Sequence, residues 1–314
     1  MRPGGFVMLD VPNEKGLFFK AGNLYQKARG RRWCVNLAPT FSPFHVFGFS
    51  PRSLRKLLAK HGLEPKAVSY THLAIFITSY LSTADLGVYS LAIQINGIAM
   101  QVPTLANTVL LPLLVTQQAE SGKERSFGYF RNVLPGIVLM WGVASSAMGF
   151  VFYFAIPVIY GAPFSPAAVP VWILLSATVV WIPVAIGYSA LANTISATYI
   201  SLVAAIASSA VNVGANFILI PKYGMIGCAI ATLIAFTASV VTFAILLKRS
   251  AKMPISWTFF AFIPSVVSVI LLTLLDAPVW ALIGCVAVSG IIAFVKRDSI
   301  KLLISFGLNF RRSA

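Results

Sequence analysis

The sequence predicts an all-α polytopic membrane protein, with about seven full transmembrane helices plus a stub, preceded by a small α/β fragment. Three observations predict this. The chain is 58% hydrophobic and 10% charged, with a mean hydropathy of +0.85. Soluble domains carry roughly 25% charged residues. Apolar runs close to the roughly 20 residues that cross a bilayer recur from residue 74 onward. The charge is also split: residues 1–68 hold 12 of the 24 Lys and Arg and 3 of the 8 acids, and the far longer remainder holds the rest. The basic balance (pI ≈ 10.1) fits the Lys/Arg excess of cytoplasmic loops, so no nucleic-acid partner is expected.

The first element is a Pro-Gly-Gly turn feeding a strand over Phe6–Val11, closed by Pro12-Asn13. This N-terminus has no apolar h-region, so no signal peptide is expected. The stretch 17–33 is basic and irregular or helical. A short helix follows, with Ser50 as its cap, Pro51 at the first position and Gly62 as the stop. Leu54, Leu57 and Leu58 share one face, and Lys56 and Lys60 form the solvated side. His45 fits a loop-packing histidine better than a catalytic base. Cys34, Cys228 and Cys285 lack metal or disulfide spacing.

The membrane helices are expected near 87–115, 133–159, 168–193, 199–221, 225–247, 258–275 and 278–295, with the stub at 74–82. Pro103, Pro135, Pro157 and Pro183 fall in or at the ends of these spans and suggest kinks. With this count, Lys123, Arg125, Arg131, Lys248, Arg249, Lys252, Lys296, Arg297, Lys301, Arg311 and Arg312 lie on one side, against Lys222 alone on the other. The bias predicts a cytoplasmic C-terminus and an outer position for Asp85. No span has an ionisable residue at its centre, which argues against a proton relay or voltage sensor.

Polar residues within the spans fall into two stripes at helical spacing. One holds Gln94, Gly97, Gln101, Thr104 and Thr108; the other holds Ser201, Ala205, Ser208, Asn212 and Asn216. Each stripe fits either a cavity for a hydrophilic headgroup or glue between helices. Three further patterns read as tight extramembrane turns: Asp85–Ala92 with Gly87 and Tyr89, Ile159–Phe164 with Tyr160 and Gly161, and Asn216–Ala229 with Pro221, Tyr223, Gly224 and Gly227. There, glycine permits positive φ or close helix approach, Pro221 ends a helix, and the tyrosines anchor at interfaces.

Two resemblances rest on these residues. Arg2–Gly5, Leu9–Asn13, His45–Ser50 and Leu54, Leu57, Leu58, Gly62 and Leu63 resemble the last third of a class I S-adenosylmethionine-dependent methyltransferase. The glycine-rich cofactor loop and the acidic ribose ligand are absent. A C-terminal fragment over 1–67 is therefore expected, with no catalytic residue, no bound cofactor and no methyl transfer. Residues 80–314 resemble the oligosaccharide flippases of the multidrug/oligosaccharidyl-lipid/polysaccharide exporter superfamily, on the three ordered patterns around Asp85, Tyr160–Phe164 and Pro221–Gly227.

The second resemblance implies the second bundle of a MATE-like fold in a bacterial or archaeal plasma membrane. It implies transport of lipid-linked oligosaccharide on an undecaprenyl-type carrier, in polysaccharide or O-antigen (lipopolysaccharide) biosynthesis, by alternating access. It also implies that the N-terminal helix bundle is missing, so that the chain alone is a non-functional fragment in contact with membrane lipid. Gln94, Gln101, Thr104, Thr108, Ser208, Asn212 and Asn216 become the candidate cavity-lining residues. Asp85, Gly87, Tyr89, Tyr160, Gly161, Phe164, Pro221, Gly224 and Gly227 become motif residues of structural importance. A multidrug or cation antiporter of the same superfamily and a methyltransferase remnant are the alternatives. Val68–Leu73 (VSYTHL) fits neither flanking part. It reads as the translation of a transposase-adapter end, so an artefactual junction between two genes is expected at 68–73, with the flippase-like part running over 74–314.

Overall fold

A computed structural model describes residues 27, 51–60, 81–253 and 257–302. The chain divides into two units, Met1–Thr71 and His72–Ala314. The described residues are 94% helical and contain no strand. The expected strand Phe6–Val11, His45, Cys34 and most of the methyltransferase-like stretch lie outside them, as does the stub up to residue 80. Leu81 and Ser82 are described and precede a helix instead of belonging to one.

In the first unit, α1 is Pro51–Lys60, the short helix that the sequence leads one to expect. Lys56 and Lys60 are exposed as anticipated, whereas Leu57 is 41% exposed, so the leucine face is only partly covered.

The second unit contains α2 (Thr83–Gly128), α3 (Leu134–Tyr160), α4 (Ala168–Pro183), α5 (Ser189–Thr194), α6 (Tyr199–Ala251), α7 (Ile263–Leu275) and α8 (Pro278–Val295). Wider π turns at Tyr129–Val133 and Val184–Tyr188 join α2 to α3 and α4 to α5. Each sits beside a proline, Pro135 and Pro183, which removes a helical N–H and crowds the preceding turn. Five helices are long and apolar enough to cross a membrane: Tyr129–Tyr160, Ala162–Thr194, Tyr199–Ala251, Trp257–Leu275 and Pro278–Val295.

α6 is folded in half. Gly224 takes φ 56°, ψ −131°, outside the helical region, and a Cβ on Gly227 would strike the Leu219 carbonyl. Two hydrogen bonds bridge the arms: Ser208 Oγ to the Ala235 carbonyl (2.9 Å) and Tyr199 Oη with Ser250 Oγ (2.9 Å). The arms therefore run antiparallel, and they span about 37 and about 40 Å at 1.5 Å per residue. This corrects the reading of Pro221 as a helix terminator. Pro221 lies within the helix, and the break falls three residues later, where only glycine tolerates the backbone.

α4 is the central helix. All of its residues except Val169 and Trp181 are buried, whereas α8 buries only Ala281, Cys285 and Ser289. Trp172 is fully buried between α3 and α7. Its ring fills the space left by Gly149, where a Cβ would lie 2.6 Å from the indole, and its Nε1 donates to Ser268 Oγ at 3.0 Å. Small residues let helices approach closely in this way when lipid supplies no hydrophobic drive. Large apolar side chains on the outer faces of α3, α6, α7 and α8, such as Val158, Leu274 and Phe294, are exposed, as suits a lipid-facing surface.

The core has two clusters at opposite ends of the helices. One contains Phe130, Leu134, Leu191, Leu247 and Trp257; the other contains Tyr89, Ile156, Trp172, Ile220 and Leu272. Tyr89 and Ile156 lie near the far ends of the α2–α3 run yet share a cluster, so this run folds back on itself before α3. Arg131, Lys248, Arg249, Lys252, Lys296 and Arg297 adjoin the first cluster in sequence. An Asn132–Ser299 hydrogen bond (3.5 Å) ties the start of α3 to the segment after α8. Asp85, Lys222 and Asp276 mark the other end. Lys123 and Arg125 sit within α2, which remains helical to Gly128.

Candidate functional site

Asp85 forms a capping box with Ser82. The Asp85 N–H donates to Ser82 Oγ (3.1 Å), and the Ser82 N–H and hydroxyl donate to the Asp85 carboxylate (3.2 and 2.7 Å). The Asp85–Ala92 pattern opens a long helix, as expected of a pattern at the start of a span, but its own residues, Gly87 included, are helical and form no turn. Tyr89 is 1% exposed and reaches the Cys228 thiol and Thr232 hydroxyl, which corrects its reading as an interface anchor. Tyr160 and Tyr223 are exposed. Gly161 (φ 89°) lets the chain turn into the short 3₁₀ segment Ala162–Ala167, where Phe164 packs against Tyr160 with ring centroids 6.0 Å apart.

A cavity of about 490 Å³ opens between α2, the π turn that follows α4, and both arms of α6. α2 contributes Thr104 and Asn107. The segment around the π turn contributes Trp181, Val184, Ala185 and Ser189. The arms of α6 contribute Ser201, Ala205, Ser208 and Ser209 on one side and Phe236, Ser239 and Phe243 on the other. Among the described residues, no charged residue or histidine lines it. Its volume falls within the roughly 300–1,000 Å³ of small-molecule pockets. The cavity lies toward the basic end of the membrane unit, since Val184, Ala185 and Phe243 in its lining belong to the first core cluster.

Of the seven expected lining residues, Thr104 and Ser208 line this cavity. The Ser201 and Ala205 positions of the second stripe join them. Gln94, Gln101 and Thr108 are exposed on α2 and do not line it. Asn212 and Asn216 do not line it either: Asn216, 1% exposed, donates from Nδ2 to Asn212 Oδ1 at 2.9 Å, which is contact within one helix. That the second stripe should continue as cavity lining to its end is thereby corrected. Asn107, Trp181, Ser189 and Phe236 were not anticipated. Asn107 stands one turn beyond Thr104, so its spacing could have found it. The Trp181–Phe236 pair joins residues 55 positions apart with ring centroids at 6.0 Å and 36° between planes, and has no sequence signal.

The hydrogen bonds around the cavity have a common direction. Thr104 Oγ1 donates to the Met100 carbonyl (2.8 Å), Ser189 Oγ to Val184 (2.8 Å) and Ser208 Oγ to Ala235 (2.9 Å). These three protons go to the backbone, whereas the hydroxyls of Ser201, Ser209 and Ser239 and the Asn107 amide N–H2 supply the lining with donors. Asn107 Oδ1 is buried with no partner. Among the described residues no cluster of His, Cys, Asp or Glu could hold a metal ion.

No protein-family model, curated protein or solved structure matches this chain.

Proposed function

We propose that the second unit is one half of a membrane transporter that carries lipid-linked oligosaccharide across a bacterial or archaeal plasma membrane by alternating access. The observation that carries this reading is the cavity, whose described lining consists of hydroxyls, an amide, aromatic rings and apolar side chains without a charged group, set toward the basic end of a helical membrane unit. A polar headgroup finds hydrogen-bonding partners there, while an undecaprenyl-type tail stays among the exposed apolar side chains. Seven spans follow if the two arms of α6 count separately and α2 is added to the five helices that qualify by length and composition. The positive-inside bias then puts Arg131, Lys248 and Lys296 in the cytoplasm, and the cavity faces the leaflet where such lipids are made.

The exposed stripe of Gln94, Gln101 and Thr108 suits the face that meets a second bundle, as in a MATE-like fold. Alternating access needs both halves, so this chain alone binds substrate without moving it.

The test uses the full chain in nanodiscs. Native mass spectrometry would compare capture of an undecaprenyl-diphosphate oligosaccharide with capture of bare undecaprenyl phosphate. Preferential retention of the glycosylated lipid supports the reading, and equal retention overturns it. Proteoliposomes holding only this polypeptide are expected to show no transbilayer movement of that lipid.

A further inference from the structure

We infer that the basic end of α8 is a docking site for an anionic phospholipid whose headgroup carries two phosphates. The site lies on the outer surface of the helices and does not depend on the transport reading. α8 buries only Ala281, Cys285 and Ser289, and its exposed Ile291, Phe294 and Val295 form an apolar strip that runs down to Lys296. At Lys296 the helix loosens (φ −105°, ψ 27°), and residues 297–302 continue helically beyond it.

The register of α3 against α8 fixes what meets there. Ser146 Oγ donates to Cys285 Sγ at 3.2 Å, and Ser299 Oγ donates to Asn132 Oδ1 at 3.5 Å. Asn132 lies fourteen residues before Ser146, and Ser299 lies fourteen after Cys285. The two stretches therefore stay side by side and antiparallel through Ser299. Arg131 stands level with Ile300, which packs on the first core cluster. Arg297 and Lys301 are one helical turn apart, which places their Cβ atoms about 5–6 Å from each other. Arg131, Lys296, Arg297 and Lys301 are all exposed, and the one acid in the 296–301 segment is Asp298.

Four cations against one carboxylate leave a positive patch at the edge of a lipid-facing strip. Acyl chains cover Ile291, Phe294 and Val295, and phosphates meet the cations where those chains end. The cations come from two helices. A headgroup with two phosphates on a short linker can bridge them, whereas a single phosphate engages fewer. A polyprenyl diphosphate shares this headgroup chemistry but brings one chain to the strip where a diphosphate phospholipid brings several.

The test is native mass spectrometry of the full chain in detergent, titrated with cardiolipin, phosphatidylglycerol, phosphatidylethanolamine and undecaprenyl diphosphate. Cardiolipin is expected to bind at least about tenfold more tightly than the other phospholipids, since each cation near an anionic headgroup is worth roughly fivefold. The triple variant Arg131→Gln, Arg297→Gln, Lys301→Gln should weaken cardiolipin at least about tenfold. The triple variant Lys248→Gln, Arg249→Gln, Lys252→Gln removes the same charge from exposed positions at the end of α6. It should change cardiolipin binding by less than about twofold, because those cations lie outside the patch. A charge-preserving triple, Arg131→Lys, Arg297→Lys, Lys301→Arg, should retain binding. Loss there as large as in the first glutamine variant would show that packing and not charge is read, and would overturn the site. Equal losses in the two glutamine variants would mean attraction by net charge alone and would overturn it too. So would equal retention of cardiolipin and phosphatidylethanolamine, or tighter binding of undecaprenyl diphosphate than of cardiolipin.

Discussion

The Tyr129 hydroxyl donates to the Ile186 carbonyl at 3.0 Å and so joins the two π turns of the membrane unit. Around this bond, Phe130 stacks on Tyr188 with ring centroids 6.2 Å apart, and Gly187 leaves room for the Phe130 ring. A π turn leaves helix carbonyls poorly paired; here one from the second turn is satisfied by a side chain from the first.

Tyr129→Phe removes that donor and leaves the Ile186 carbonyl buried. The expected loss is about 1 kcal/mol, in line with hydrogen bonds inside membrane proteins. Buried Cys228 and Cys285 provide the readout. In a Cys34→Ser background, the temperature at which they react with a maleimide dye should fall by a few degrees. An unchanged midpoint would show that the bond carries no weight.

Gly224→Ala places a Cβ where φ is 56° and ψ is −131°. The strain should cost on the order of 1–3 kcal/mol and reduce the yield of monodisperse protein. Lys252, also at positive φ (56°) but with ψ 30° in the ordinary left-handed well, provides the contrast: Lys252→Gly should be neutral or slightly stabilising. Equal behaviour of the two variants would argue against a hairpin at Gly224.

Gly149→Ala drives a methyl into the Trp172 ring. Overpacking of this kind typically costs about 1–3 kcal/mol. Trp172→Phe should relieve the clash partly in the double variant, so the two changes should be less than additive. Strict additivity in the maleimide midpoint would contradict the contact.

The folded α6 makes a topological prediction. Single cysteines at Tyr223 and Lys252, both exposed, should react with an impermeant maleimide from opposite faces of a sealed vesicle. Reaction of both from one face would rule out two crossings.

Much of this was legible because composition and period are local. The boundaries of α3, α7 and α8 follow from apolar runs ended by Gly161, Asp276 and Lys296. The two arms of α6 follow from the break near Gly224. Its exact place was misread because Pro221 is the stronger breaker in general, whereas in an apolar helix nearby groups can absorb a proline. Tyr89 was misread because an aromatic near a helix end fits an interface and a core equally well until the neighbour, here Cys228, is known. The cavity was half legible: Thr104 and Ser208 sit on helical stripes, but a stripe does not state where it stops facing a partner. Trp181 and Phe236 meet only through the crossing of two helices, which no local pattern encodes.

The one-residue reversal at Gly224 bears on how this protein enters its membrane. Two arms joined so tightly leave no room for the first to settle before the second emerges from the ribosome. They would leave the translocon as a pair, hydrogen-bonded through Ser208 and Tyr199. Lys222, beside the tip, is the sole basic residue that the pair must carry across. A single lysine costs about 2.5–3.5 kcal/mol at the bilayer centre, which some twenty apolar residues per arm offset many times over. Further positive charge near the tip would work against that crossing, so biogenesis as well as folding constrains the loop.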